Sequence, residues 1–176
     1  MALETVRVFE AGFGTGLNAL LTLMEARKSG QYIRYETIEP FPLELSLVNA
    51  LNYCDHLNAP DLKSTFYLLH TCPFEKEVRI TDQFTFLKKQ VDLASFTCGS
   101  SYNLVYFDAF APDDQPELWT EQVFRKLFNC CESGALLLTY SCKGQVRRNL
   151  QSAGFAVEKL QGPPGKKQIT RAYKPL

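Results

Sequence analysis

The stretch Glu10-Ala11-Gly12-Phe13-Gly14-Thr15-Gly16 constrains this chain most, because it separates an apolar, β-rich run from a helical one. Residues 6–10 read as a buried strand, and residues 17–27 (LNALLTLMEAR) have the composition of a good helix. Three glycines within five residues exceed what a turn needs. They allow a tight bend and close backbone approach to a ligand, beside the unpaired N–H groups of a helix start. The third glycine comes one residue too early for the dinucleotide fingerprint GxGxxG, and no GK[ST] follows as a Walker loop requires. An acid ahead of alternating glycines suits a cofactor bearing an amino-acid ammonium group rather than a pyrophosphate.

Beyond this loop, strand and helix patterns alternate. Strands are expected at residues 33–39, 78–81, 102–109, 135–140, 155–160 and 169–173. Helices are expected at 43–51 with Pro42 in the first turn, at 83–91, at 116–131 ended by Gly134, and at 144–153 capped by Gly154. Residues 54–77 lack a clean period and read as an irregular insert with one short helix. The loop from Gly162 to Lys167 is too long and proline-rich for a tight hairpin. Such alternation predicts an α/β fold over residues 1–176, a single domain. Its seven-stranded sheet is mostly parallel with helices on both faces, and its last strand is antiparallel.

Of the 176 residues, 45% are hydrophobic and 22% charged, a globular balance with zero formal net charge. That sum argues against a general nucleic-acid binder. The distribution is uneven, however. Lys143, Arg147, Arg148, Lys159, Lys166, Lys167, Arg171 and Lys174 crowd the last part of the chain, whereas Asp108, Asp113, Asp114, Glu117 and Glu121 make the middle acidic. No apolar run approaches the roughly 18 residues of a membrane span, and the first residues lack the pattern of a signal peptide, so a cytoplasmic location is expected. Six scattered cysteines without a CxxC pair read as reduced and mostly structural. His56 and His70 lie in no zinc spacing, and no metal is expected.

Three further acids are candidates. Glu39, roughly 20 residues beyond the glycines and at a strand end, is placed to accept hydrogen bonds from ribose hydroxyls. Asp82 follows the weak third strand and reads either as an acceptor for an adenine amino group or as a helix N-cap. Asp108 opens Asp108-Ala109-Phe110-Ala111-Pro112 at the end of the strongest strand, where open α/β sheets face their ligand crevice. A carboxylate followed by an aromatic and a proline reads as a site that positions a nucleophile.

An acidic strand end, GxGxG and a following strand-end acid resemble the class I methyltransferase fold, Rossmann-like and three-layered. The resemblance narrows with FEAGFGTGLNAL, ETIEPFPL, YFDAFAPDDQPELWTEQVF and GQVRRNLQSAGFAVEKLQGPPGKKQITRA, which cover nearly the whole chain from Val6 to Ala172. The most specific parts are Asp108–Pro112 with Trp119–Phe124, and Val146–Phe155. These segments resemble the methyltransferases that act on the wobble uridine of certain tRNAs, the MnmC-like family, whose members stand alone or form the first half of a bifunctional enzyme.

The resemblance implies transfer of a methyl group from S-adenosylmethionine to the amine of 5-aminomethyl-2-thiouridine. It implies Asp108 as the catalytic residue and Glu10, Gly12, Gly14, Gly16, Asn18, Glu39, Asp82 and Asp108 as cofactor contacts. Phe110 and Pro112 would pack on the flipped base, and Lys166 and Lys167, with Lys143, Arg147, Arg148 and Arg171, would meet phosphates of the tRNA anticodon stem-loop. A separate oxidoreductase is the expected partner enzyme. Family members carry a segment before the first strand, so a shortened form is expected here. Two rival readings are a spermidine-synthase-like aminopropyltransferase, which would recruit Asp113 and Asp114, and a catalytically silent module that binds cofactor or tRNA.

Overall fold

Val8, Phe9 and Ala11 cannot be exposed without cost, and the chain buries them by placing their strand at the centre of one sheet. The computed structural model describes residues 5–162 and 167–176. Strands β1 (Val6–Ala11), β2 (Ile33–Ile38), β3 (Val78–Thr81), β4 (Phe84–Lys89), β5 (Tyr102–Phe107), β6 (Cys131–Thr139), β7 (Ala156–Gln161) and β8 (Gln168–Tyr173) form one eight-stranded sheet in the order β3-β4-β2-β1-β5-β6-β8-β7. β1 pairs in parallel with both β2 and β5, while β8 is antiparallel to β6 and β7, as expected for the last strand.

Alternating side chains send Val8, Tyr35, Phe84 and Phe86 to one face. There they pack under α1 (Leu17–Ser29), α3 (Tyr53–His56) and α4 (Lys63–Thr71); the short α2 (Leu45–Ala50) lies alongside α4. Phe9, Val105, Phe107 and Leu137 point the other way. They meet α5 (Glu121–Cys130), α6 (Gly144–Ser152) and the segment carrying Leu93 and Phe96. This is a Rossmann-like α/β sandwich. The chain winds from β1 toward β4, then returns to β5 on the other side of β1. The sheet order therefore reverses between β1 and β5, and the crevice for a ligand opens at the carboxyl ends of those two strands.

Several elements differ from the sequence reading. Residues 83–91 are not a helix: Phe84–Lys89 forms β4, antiparallel to β3 and parallel to β2. Its burial alternates strictly, so period two governs, with Phe84, Phe86 and Lys88 inside. With it the sheet has eight strands rather than the expected seven. Helix α2 begins at Leu45, leaving Pro42 outside it. Residues 54–77 hold more order than expected, with α3, a 3₁₀ turn at Pro60–Leu62 and α4. Residues 116–131 split into a 3₁₀ turn, Pro116–Trp119, and α5, whose N-cap Thr120 side chain accepts from the Val123 N–H. Gly134 does not end a helix but lies inside β6, where the pairing with β5 shifts register.

The cysteine reading is also corrected in part. Cys98 and Cys130 are joined in a disulfide, with Cα atoms 5.9 Å apart. The fold brings a loop cysteine to the last turn of α5, a proximity their scattered sequence positions conceal. Cys54, Cys72, Cys131 and Cys142 remain thiols. Among the described residues no helix is long and apolar enough to cross a membrane, and no group of three or more His, Cys, Asp or Glu is placed to hold a metal.

Candidate active site

A cleft of about 1290 Å³ opens at the switch point. Gly12, Gly14 and Asn18 line it from the glycine loop and the start of α1, Glu39 from the end of β2, and Asp108 and Phe110 from the end of β5. The segment Gln90 to Ser95 and the residues Gln115, Glu117 and Leu118 form further parts of its wall, with Tyr140 at one edge.

The loop's shape comes from its glycines. Gly12 has φ +94°, and a Cβ there would sit 3.0 Å from the Asp108 carbonyl oxygen, so the β1 turn and the β5 turn touch only because the side chain is absent. Gly14 faces open space, where a Cβ would project from the loop. Its N–H donates to Glu39 Oε2 at 2.8 Å, and the Phe41 N–H donates to Oε1 of the same carboxylate at 2.9 Å. Glu39 is thereby clamped in the cleft wall with lone pairs left for ribose hydroxyls. The open cradle over Gly14 and this fixed acid fit a nucleoside cofactor with an amino-acid tail. Gly16 does not line the cleft; at φ +73° it is the N-cap of α1 and packs against Phe13 and His70.

Glu10 also stays out of the cleft, contrary to its expected contact with the cofactor. It is fully buried beneath the loop, since position 10 shares the parity of Val8 and points toward α1. Burial pushes its carboxyl up to about 8, against hydrogen bonds from Asn18 and Thr37 that lower it. Asn18 Nδ2 donates to Glu10 Oε1 at 2.9 Å and to Asp108 Oδ2 at 3.0 Å.

Support below the loop comes from residues the sequence reading did not select. The Lys88 ammonium, buried, donates to the carbonyls of Leu69 and His70 at the end of α4. Burial, and then the nearby Lys88 cation, push the His70 imidazole down to about 4. Its Nε2 has no hydrogen-bond partner, and its ring packs on Phe13 and Phe66. Nothing in local sequence pairs positions 70 and 88; the placement of α4 against β4 does.

The turn after β5 is equally braced. Trp119 Nε1 donates to the Phe110 carbonyl at 2.8 Å and Tyr140 Oη to the Ala109 carbonyl at 2.9 Å. Asp108 stands exposed at the lip of the cleft, and Phe110 is 67% exposed beside it. Pro112 is half-buried and does not line the cleft. Asp113 forms an ion pair with Lys143, and neither it nor Asp114 lines the cleft. The acids that an aminopropyltransferase would recruit are therefore turned elsewhere.

Asp82 is a correction. It sits in the turn between β3 and β4, at the amino end of β4, paired with Arg79 at 2.8 Å and exposed. β2 and β4 run in parallel from Ile33 and Phe84, so Asp82 lies at the sheet edge opposite Glu39. The acid near the cleft on this side is Asp92, after β4, whose carboxyl is held below its usual range by the Ser95 backbone N–H and side chain. Reading residues 83–91 as a helix hid it, because a strand end was the signal.

Lys167 lies with Lys143, Cys142, Gln168 and Tyr140 around a second cavity of about 620 Å³, which shares Tyr140 with the cleft. Lys166 lies outside the described residues. Arg171 is paired with Glu158 at 2.5 Å, away from both cavities.

Comparison with known proteins agrees with this geometry. The chain is 26% identical over 175 residues to the "tRNA 5-methylaminomethyl-2-thiouridine biosynthesis bifunctional protein MnmC" of Campylobacter hominis, covering 96% of this chain and 25% of that protein. The Cupriavidus metallidurans protein of the same name is 32% identical over 184 residues, covering 96% and 26%. The chain thus spans about a quarter of the length of these relatives. Among solved structures, MNMC2 from Aquifex aeolicus superposes with a TM-score of 0.73 at 19% identity, over 98% of this chain and 55% of that one. The N-methyltransferase NodS of Bradyrhizobium japonicum, bound to S-adenosyl-l-homocysteine, gives 0.57 at 10% identity, over 97% and 79%. The family model described as "S-adenosyl-L-methionine-dependent methyltransferase" matches residues 67–175, which include the Asp108 turn. With a switch-point cleft, an open glycine cradle and a clamped strand-end acid beside that match, the chain belongs to the S-adenosyl-L-methionine-dependent methyltransferase family.

Proposed function

We propose that this chain methylates the amine of 5-aminomethyl-2-thiouridine at the wobble position of tRNA. The observation that carries the reading is Asp108, an exposed carboxylate at the lip of the cofactor cleft, braced from behind and flanked by an exposed Phe110. The relatives named for 5-methylaminomethyl-2-thiouridine biosynthesis support the choice of substrate.

When bound, S-adenosylmethionine supplies a methyl group on a sulfonium, already reactive, so the protein's task is alignment. Glu39 would accept hydrogen bonds from the ribose hydroxyls, and the open face over Gly14 would admit the amino-acid end. A free alkylamine is protonated at neutral pH, with a pKa of roughly 10, and must reach the cleft neutral to attack. Asp108 by itself favours the protonated amine. Its contribution is to the developing charge: nitrogen becomes positive as its lone pair takes the methyl, and a carboxylate within reach stabilises that change. Asp108 then accepts the proton the new ammonium releases. Phe110 packs on the flipped base. Lys167 and Lys143, beside the cleft, meet backbone phosphates of the anticodon stem-loop, which fix position rather than sequence. Lys166 belongs to the same proposed contact. A cytoplasmic location and a separate oxidoreductase acting upstream complete the reading.

The test is transfer of a radiolabelled methyl group to tRNA lacking the modification. Transfer is expected with the unaltered chain and lost in Asp108→Ala. Undiminished transfer in that variant would remove the assignment of Asp108, and cofactor binding with no transfer under any condition would establish the silent binding module instead. Charge reversal at Lys167 should weaken tRNA binding and lower its salt dependence.

A further inference from the structure

One amide joins two carboxyl groups at the heart of this site. Asn18 Nδ2 carries two hydrogens, and the geometry gives one to Glu10 Oε1 at 2.9 Å and the other to Asp108 Oδ2 at 3.0 Å. Glu10 is itself held from the far side, where Thr37 Oγ1 lies 3.0 Å from its Oε2. The chain of contacts runs from β2 through β1 and the first turn of α1 to the turn after β5, crossing the sheet at its switch point. Glu10 is fully buried and absent from the cleft wall, so it meets no bound molecule directly.

We propose that Glu10 is a positioning residue for methyl transfer: it holds the Asn18 amide in the orientation that presents Asp108 to the incoming amine. The inference rests on the reading of Asp108 given above. Asp108 is exposed and its side chain has free rotamers to explore; an amide fixed at its other end restricts it to one. Glu10 needs only an acceptor oxygen for this task. Thr37 Oγ1 donates to Oε2 in the structure. Burial keeps Glu10 largely protonated at neutral pH, and the Thr37 hydroxyl can then turn to the Glu10 main-chain carbonyl, 3.3 Å away, and accept from the acid while the other carboxyl oxygen accepts from Asn18. A glutamine offers the same pair of functions, a carbonyl to accept and an N–H to donate.

Three variants test this: Glu10→Ala, Glu10→Gln and Asn18→Ala. In the methyl-transfer assay Glu10→Ala and Asn18→Ala should each lower kcat roughly tenfold, the equivalent of one lost positioning contact, and the double variant should fall no further than either alone. Glu10→Gln should restore kcat to within about threefold, since the acceptor is retained. Cofactor Kd by calorimetry should stay within about threefold in Glu10→Ala, because a buried residue off the cleft wall adds little direct binding. Parallel loss of cofactor affinity and kcat in Glu10→Ala, or failure of Glu10→Gln to rescue, would overturn the proposal.

A second readout needs no turnover. The Asp108 carboxyl carbon, followed by NMR at neutral pH, should change its chemical shift in Asn18→Ala and Glu10→Ala, having lost the amide that orients it. It should not move in Glu10→Gln. Because Glu10 keeps its proton until about pH 8, none of these changes alters charge there. An unmoved Asp108 in Asn18→Ala refutes the positioning role even if tRNA proves not to be the substrate. If Glu10→Ala fails to fold, Asn18→Ala and Glu10→Gln decide by the same criteria.

Discussion

Burial of Glu10 makes a prediction about stability that is independent of activity. The folded chain holds the Glu10 proton up to about pH 8, against an ordinary value of 4.5. Between these two values the unfolded chain has released a proton that the folded chain keeps. Stability is therefore fully present below the lower value and is lost as pH rises, by about 1.4 kcal/mol for each pH unit. His70 acts in the opposite sense. Its imidazole is pushed from 6.5 down to about 4, so the folded chain lacks a proton that the unfolded chain binds, and stability is lost as pH falls through that range. The two contributions offset each other between pH 4.5 and 6.5, and from 6.5 to about 8 Glu10 acts alone.

Titratable groups packed near Glu10 do not fill that upper window. The Tyr35 phenol on β2 is pushed well upward by burial, and the Cys54 and Cys72 thiols are likewise raised. Across about 1.5 pH units the loss comes to about 2 kcal/mol. For a chain of this size that corresponds to roughly 4–8 °C in Tm. The assay is thermal unfolding by circular dichroism at pH 6.5 and pH 8 for the unaltered chain and for Glu10→Gln. The variant cannot lose a proton there, so its Tm should be flat across the window. An equal fall in both proteins, or none in either, refutes the reasoning that Glu10 sits protonated in the folded state.

Other perturbations probe the frame around the cleft. Trp119→Phe keeps an aromatic ring against Phe107, Phe124 and Tyr140 but removes the donor to the Phe110 carbonyl; one hydrogen bond of about 1 kcal/mol predicts a fall of about fivefold in kcat, with cofactor Kd unchanged by calorimetry. Gly12→Ala forces a Cβ toward the Asp108 carbonyl at positive φ; it should cost about 1–3 kcal/mol, read by denaturant unfolding, and should weaken cofactor binding in the same variant. Lys88→Met leaves the carbonyls of Leu69 and His70 without their buried donor; a loss of about 1–3 kcal/mol should appear as a lower Tm.

The parts of the fold that were legible in sequence share a property: their pattern is decided locally. The glycine loop, the helix behind it, the apolar β5 run and the basic α6 each announce themselves through composition or period. Phe84–Lys89 did not, because FTFLKK sets two charged residues at the end of a strand, and only burial of Lys88 against α4 makes its alternation complete. Misreading that strand carried Asp82 into the cleft and kept Asp92 out of it. The disulfide between Cys98 and Cys130, and the support of the glycine loop by His70 and Lys88, depend on which elements become neighbours, and that is set by the sheet order rather than by any local run.

Glu10 combines both situations. Its parity with Val8 was readable along β1, and parity alone directs it toward α1 rather than into the crevice beyond the strand end. The partners that hold it there were not readable, because they come from β2 and from the first turn of α1. An acid before a glycine loop is therefore not by itself a cofactor contact. In this chain the loop lines the cofactor cleft while the acid beneath it reaches the same cleft through Asn18, and Glu10→Gln isolates the acid's ionisation, because the loop is untouched and only the capacity to lose a proton is removed.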